Sequence, residues 1–463
     1  MLTLVVVLLI ALITWLFNRH GRLAVAHPGT WFAAAWILSI LSYAVLDYAD
    51  AVPVHDDVLL MRLWMYVIYT TGLFFACSLL YVPPYKGLFA RPREFWPPKT
   101  WEDFELPMLG SAFIGFAGSL ANVILLGHGF VYSDATRQAW IASIPLVTAR
   151  TWYFYIATYP ASFVVGTRVS SFLLTGRKLN IALIASIFMT FGAGFLWMIG
   201  TGGRQAFGIQ ILYFLTGAAF GWAKIEIGAG RRLLRKIVLA LASMIAVCAA
   251  FAFVINVTGS IRARDNGLQE SKLAGLGGIG WGGQFFEYMG QPIATFQAYG
   301  DPMRRDLSET GPVTFSALHD FGIGWLFGWR RPGTLDTNPE RALVGTSFAF
   351  ATGTRNIFYD FEADFGFGGE LAVLVLLVAL SQISFSVFVR GNETALTGFI
   401  PLTSLLMFWG YSHQFSLYIY GDLKWQVLAF VLWDLAVYLL MPYILGRTQI
   451  MRIRTGFQKR LDS

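Results

Sequence analysis

The sequence predicts an all-α polytopic membrane protein, a single integral membrane domain over residues 1–463. Three observations predict it. Only 13% of the residues are charged and 56% are hydrophobic, whereas a soluble domain carries about 25% charge. The apolar residues come in runs of about 18–22, the length at which an α-helix crosses hydrocarbon about 30 Å thick. One long polar stretch, 258–367, interrupts those runs. Barrel strands would instead show short alternating segments.

About eleven spans are expected. They lie at 2–17, 31–47, 58–82, 106–126, 138–165, 180–200, 203–222, 236–257, 368–390, 396–413 and 425–446. The first could pass for the core of a signal peptide, with Ala24-Val25-Ala26 as its cleavage site. No positive charge precedes it, however, and Arg19 and Arg22 follow it, the reverse of a secretory signal. It is read as a span with its N-terminus outside.

Alternate loops then carry the Lys and Arg: Arg19 and Arg22; Lys86, Arg91, Arg93 and Lys99; Arg168, Arg177 and Lys178; Lys224, Arg231, Arg232, Arg235 and Lys236; and the tail with Arg447, Arg452, Arg454, Lys459 and Arg460. The positive-inside bias places that side in the cytoplasm. The opposite loops are acidic or near neutral, as at 47–57. The N-terminus is then outside, the C-terminus inside, and 258–367 is one large loop on the outer face. The net charge of +7 is spread over these short loops, a topology pattern rather than a nucleic-acid stripe. Cys77 and Cys248 both fall inside predicted spans, so no disulfide framework is indicated.

Charges of both signs in the outer loop suggest a site at the membrane–water boundary, for a substrate half lipid and half polar. Residues 275–283 are rich in Gly. Trp325-Leu326-Phe327-Gly328-Trp329 is apolar enough to dip into the headgroup region. Short helices and a re-entrant segment are expected here. There is no phosphate-binding Gly-x-x-x-x-Gly-Lys-Ser/Thr loop, no His-Glu-x-x-His and no Cys/His metal spacing. An enzyme of this kind would take its energy from a substrate already activated, with no cofactor.

Several side chains are candidates for chemistry. Arg204 follows Gly202-Gly203 at the outer end of a span. Its planar, permanently charged fork suits phosphate; the alternative is an interfacial anchor. Arg150 lies near the middle of its span, where a charge needs a partner or a wet cavity. Asp434 is at similar depth, so an Arg150–Asp434 pair and a place on the substrate path are both open.

The densest cluster runs from Arg355-Asn356 to Asp364-Phe365-Gly366, with Asp360, Glu362 and Asp364 at every second position. Extended, they share a face; as a helix, Asp360 and Asp364 align. Gathered carboxylates suit general-base work. A solvated acidic loop and, more weakly, a metal site are the alternatives. His319, beside Asp320, is a candidate base or phosphate ligand. Arg262, Arg264 and His413 are either interfacial or ligands for an anion.

Three stretches resemble the Wzy-type oligosaccharide repeat-unit polymerases, the O-antigen polymerase family. They are Gly202-Gly203-Arg204; Tyr288-Met289-Gly290-Gln291-Pro292 with Phe296; and Asn356…Asp364-Phe365-Gly366-Phe367-Gly368 running into an apolar span. Tyr359 stands where Thr is common in that family, and Glu362 is extra.

The resemblance implies a GT-C-like fold in the bacterial inner membrane, with a large periplasmic loop. It implies an undecaprenyl-pyrophosphate-linked oligosaccharide as substrate, and a chain-length regulator and a flippase as partners. Arg204 with Arg355 or Arg264 would hold the departing pyrophosphate, with Arg150, Asn356 and Tyr288 nearby on the glycan or phosphate. Asp364 or Glu362 would be the base, with His319 in reserve. Trp281, Trp325 and Trp329 would face sugars or anchor in lipid.

The nearest rival is an O-antigen ligase, which shares the donor. A precursor flippase or transporter would use Arg150 and Asp434 for coupling. A glycosyltransferase using a polyprenyl monophosphate sugar would want an acidic metal site.

Overall fold

The described parts of the predicted spans are helical apart from one break, and the caps sit where local chemistry asks for them. The computed structural model describes residues 1–52, 55–80, 105–126, 149–175, 180–201, 205–224, 283–298, 323–329, 357–389 and 423–436, with isolated positions 249, 253, 257 and 308. Of Arg150, Tyr288, Asp360 and Asp434 it describes the backbone alone. The spans predicted at 236–257 and 396–413 lie outside these residues, apart from isolated positions.

The helices are α1 (Leu2–His20), α2 (Pro28–Tyr48), α3 (Asp57–Leu80), α4 (Glu105–Leu126), α5 (Ala149–Tyr155), α6 (Thr158–Thr175), α7 (Ile181–Thr201), α8 (Gln205–Lys224), α9 (Gly283–Ala298), α10 (Ile323–Leu326), α11 (Ile357–Val389) and α12 (Leu423–Asp434). A 3-10 turn, Gly21–Ala26, links α1 to α2. Among the described residues there is no strand.

Six segments are long and apolar enough to cross a membrane: Leu2–Ala26, Pro28–Tyr48, Asp57–Leu80, Glu105–Leu126, Ile181–Thr201 and Phe361–Ile383. Phe207–Ala223 is apolar but shorter. Val7, Ile10, Leu41, Phe113, Ile124 and Phe188 point outward from these helices, which lipid tolerates and water does not.

Three helices start on side chains that satisfy their free N–H groups. Asp56 Oδ1 accepts from the Val58 and Leu59 amides, both at 3.0 Å, to open α3. Asn180 Oδ1 accepts from Leu183 N–H at 2.8 Å to open α7. His27 Nδ1 accepts from Gly29 N–H at 3.0 Å, with Pro28 at the first turn of α2. That bond leaves the His27 proton on Nε2, which donates to Gln382 Oε1 of α11 at 3.0 Å.

Two groups of helices share one apolar core. In the first, α1 and α3 run parallel, since Trp15 Nε1–H donates to Ser78 Oγ at 2.8 Å and Arg19 reaches the Leu79 carbonyl. Helix α2 runs back along α1, and α11 lies parallel to α3. In the second, α4 and α7 are parallel: Phe116 meets Phe188, and Gly200 packs on Asn122. Helix α6 opposes α4, placing Arg168 3.6 Å from Glu105. Helices α6 and α8 cross closely, because Gly166 lies on the Phe214 carbonyl and Gly217 on the Phe163 carbonyl. A β-carbon at either glycine would collide with backbone.

Two expected boundaries are corrected. The span at 138–165 is not one continuous helix over its described part: it breaks at Ile156 and Ala157, and α6 continues to Thr175. The span expected from 368 begins earlier. Helix α11 starts at Ile357, so the acidic cluster is helical rather than the tail of a loop.

Candidate functional site

Four helices meet where α2 ends and α3 and α11 begin. From α3, Arg62 Nη1 lies 2.9 Å from Glu362 Oε1, and Tyr66 Oη–H donates to Glu362 Oε2 at 2.7 Å. Both oxygens of Glu362 are therefore engaged, and its side chain is only 12% exposed. Asp364, two residues on and turned to another face of the helix, is completely buried. Glu370 is also completely buried, and neither of its oxygens has a hydrogen-bond partner among the described residues. Tyr66, Arg62 and Glu362 are close enough to act on its charge.

An aromatic stack frames this cluster. Phe358 lies between Trp36 and Tyr66, with ring centroids 5.6 Å and 5.4 Å away. Phe367, itself half exposed, lies 5.8 Å from the Tyr66 ring. Trp36, Tyr66 and Phe358 are buried, and in such surroundings polar interactions strengthen and an unpaired carboxylate costs more.

Helix α9 supplies the fourth wall. Its residues from Met289 to Gln297 are buried. Gly290 packs on Ser42, Tyr43 and Leu46 of α2, and Phe296 meets Tyr359 of α11 edge-on at 6.3 Å. Gln297 Nε2–H donates to Tyr43 Oη at 2.9 Å, and Gln297 Oε1 accepts from Asp56 N–H at 3.1 Å. Pro292 removes the N–H that would bond the Tyr288 carbonyl.

Helix α11 is bent at Gly366, which has φ 67° and ψ 173°. That region is open to glycine almost alone. The break separates the turn bearing Glu362 and Asp364 from the long apolar stretch bearing Glu370. The Asp-Phe-Gly sequence thus has a backbone reason: Gly366 breaks the helix between Glu362, which holds Tyr66, and the buried Glu370.

The structure brings together some predicted site residues and says nothing of others. Glu362 and Asp364 lie in this cluster. Their helical arrangement replaces the solvated acidic loop and the extended segment as readings of the stretch. Tyr288 belongs to α9 and Arg150 to α5, by backbone alone. Thr151, next to Arg150, donates to Asn122 Oδ1 at 3.0 Å, and Gly200 of α7 packs on the same Asn122. Arg204, Arg264, Arg355, Asn356 and His319 lie outside the described residues, as do Arg262, His413 and Trp281; so do the side chains of the expected Arg150–Asp434 pair. Leu326 and Phe327 are exposed, and Trp329 stacks on Phe327 at 5.0 Å.

Sequence reasoning missed Arg62, Tyr66, Glu370 and Gln297. Arg62 and Glu370 carried a signal, since each is a charge inside an apolar run. Tyr66 and Gln297 carried none. Among the described residues, no three His, Cys, Asp or Glu side chains gather as a metal site would require.

The fold and the site together define a polytopic helical membrane protein with a buried, aromatic-walled carboxylate cluster at one end of its bundle. No known protein family, no curated protein and no solved structure matches this chain.

Proposed function

We propose that this protein is a membrane glycosyltransferase. In this reading it joins undecaprenyl-pyrophosphate-linked oligosaccharide repeat units into a surface polysaccharide, at the periplasmic face of a bacterial inner membrane. One observation carries the reading. Two of the three sequence stretches that resemble the polymerase family are far apart in the chain, yet they touch: Phe296 of α9, four residues after Pro292, meets Tyr359 of α11 edge-on, just ahead of Glu362 and Asp364.

The chemistry needs few parts. Pyrophosphate leaves readily, so no strong general acid is required. Arginine stabilises the departing phosphates: Arg204 with Arg355 or Arg264, and Arg150 on the approach. A carboxylate takes the proton of the acceptor hydroxyl as the sugar passes through an oxocarbenium-like state. Asp364 and Glu362 are the candidates, with His319 in reserve. Glu362 has Arg62 and Tyr66 on its two oxygens, so in this reading one of those partners gives way before Glu362 meets the acceptor hydroxyl. Asn356 and Tyr288 contribute to glycan binding.

Purified protein with lipid-linked repeat unit, without nucleotide or added metal, should yield a ladder of glycan lengths on a gel. Arg204→Ala should abolish the ladder while membrane insertion is kept. Folded wild-type protein that makes no ladder would overturn the proposal. A ladder unchanged in rate and length in Arg204→Ala would remove Arg204 from the site.

A further inference from the structure

We propose that Asn122 is a ligand-binding residue: its side-chain amide is the donor that joins Arg150 and Arg204 into one site for the phosphate groups of a lipid-linked diphosphate. The site rests on the function proposed above for the nature of its lipid. Anion binding can be read apart from glycan transfer.

Arg150 and Arg204 are far apart in the chain, and the fold gathers their anchoring points around one side chain. Thr151, the neighbour of Arg150 in α5, donates through Oγ1 to Asn122 Oδ1 of α4 at 3.0 Å. Gly200 of α7 packs on the same asparagine, so that a β-carbon at Gly200 would stand 2.9 Å from Nδ2. The missing β-carbon is what lets the amide lie against the α7 backbone. Trp152, next along α5, meets Trp197 of α7 with ring centroids 5.2 Å apart, one turn before Gly200. Three helices therefore close on Asn122. Helix α7 ends at Thr201 and α8 begins at Gln205, so Arg204 follows Gly200 by four positions and stays near it by connectivity alone. Two residues of the type that suits phosphate thus belong to chain segments that flank one asparagine.

Asn122 is wholly buried. A side-chain amide has an acceptor oxygen and an NH2 donor group. Thr151 uses the oxygen, and Nδ2 has no hydrogen-bond partner among the described residues. An amide buried unpaired is costly. Leucine would fill the same place without that cost. The donor at the last turn of α7 is explained by an acceptor that it binds.

Charge sets the class of that acceptor. Helices α5 and α7 carry no acid, and the only acid of α4 is Glu105, at its far end and 3.6 Å from Arg168. No carboxylate of these three helices competes for the arginines beside Asn122. The acceptor is an anion brought from outside the bundle.

The test is calorimetric binding of farnesyl diphosphate to the full-length protein in phosphatidylcholine nanodiscs, against empty nanodiscs. Inorganic pyrophosphate and farnesol are the companion probes. Wild-type protein should bind farnesyl diphosphate saturably, inorganic pyrophosphate more weakly, and farnesol not at all. Asn122→Leu should raise the Kd for farnesyl diphosphate about 10–100-fold, the loss of one hydrogen bond to a charged acceptor, with its unfolding midpoint unchanged or higher. Thr151→Val keeps the donor and should weaken binding less. Ser119→Ala, one turn earlier in α4 where Ser119 donates to the Gly115 carbonyl, should bind as wild type does. Should Asn122→Leu fail to fold, Gly200→Ala decides: it displaces the amide without removing it and should also raise the Kd.

An unchanged Kd in these variants overturns the proposal. So does a loss in Thr151→Val as large as in Asn122→Leu, which would make Asn122 a support for α5 and not a ligand. Wild-type protein that binds no diphosphate, or binds farnesol equally well, overturns it too. Inorganic pyrophosphate bound as tightly as the lipid would make the ligand a soluble anion and overturn the lipid assignment. If the diphosphate binds through Asn122 but no glycan ladder forms, the site stands and the polymerase reading falls. A ladder with an unchanged Kd in Asn122→Leu does the reverse.

Discussion

At the scale of single residues, the clearest commitment is Arg62 to Glu362. The two side chains are 26% and 12% exposed, so the pair is largely shielded from solvent. Removing the cation leaves a carboxylate with only Tyr66 to satisfy it. Arg62→Ala should cost on the order of 2 kcal/mol, read as a lower thermal unfolding midpoint in detergent. The double variant with Glu362→Ala should cost less than the two singles combined, because each single strands a partner that the double removes.

Gly366 makes a different demand. Its φ of 67° with ψ 173° is closed to residues with a β-carbon, and Gly366→Ala should cost about 1–3 kcal/mol. Gly368→Ala is the control: a β-carbon there meets nothing within 4 Å, and stability should hold or rise slightly.

At the scale of elements, the second helix group depends on backbone approach rather than polar contacts alone. Gly166 and Gly217 face each other's helices, so α6 and α8 cross with carbonyls where side chains would ordinarily stand. Small residues of this kind drive helix association in lipid, where apolar burial alone gives little net gain. Gly217→Ala should force the crossing apart and cost about 1–3 kcal/mol. Gly72→Ala, in the open face of α3, should not. Ser170 Oγ–H, bonded to the Ala218 carbonyl at 2.7 Å, would lose its partner in the first case alone.

The elements also show where pattern reading succeeded. Helices α2, α3, α4 and α7 lie within a few residues of their predicted spans, because a run of about 20 apolar residues has one stable arrangement in hydrocarbon. The misreadings fall where hydropathy changes without a change of conformation, or the reverse. Residues 357–365 carry three acids and are helical; Ile156 and Ala157 are apolar and break the helix. A hydropathy window registers polarity, not backbone angles.

At the scale of the whole molecule, Asp56 and Gln297 are hydrogen-bonded, so the 47–57 segment, the end of α9 and the start of α11 lie at one end of the bundle. The charge bias of the loops predicts that this end is outside the cell. A cysteine at His55, whose side chain is 53% exposed, should react with an impermeant maleimide in intact spheroplasts once Cys77 and Cys248 are replaced. Labelling that appears only after permeabilisation would place the Glu362 cluster on the cytosolic side and remove the proposed periplasmic donor from its reach.

Length, composition and order of the apolar runs by themselves determined that this chain is a helical membrane protein, and the acids Asp360, Glu362 and Asp364 were legible as a cluster. Those properties are local: each run answers to the bilayer without reference to any other. Only the tertiary structure decided which acid meets which base. Arg62 and Glu362 stand 300 positions apart, and neither helix's pattern points to the other. The same holds for Phe296 against Tyr359 and for Tyr66 against Glu362. Such partnerships arise from how helices rotate and cross once inserted, and that is set by glycine contacts, ring stacking and the break at Gly366, which act between segments and leave no periodic mark in either one.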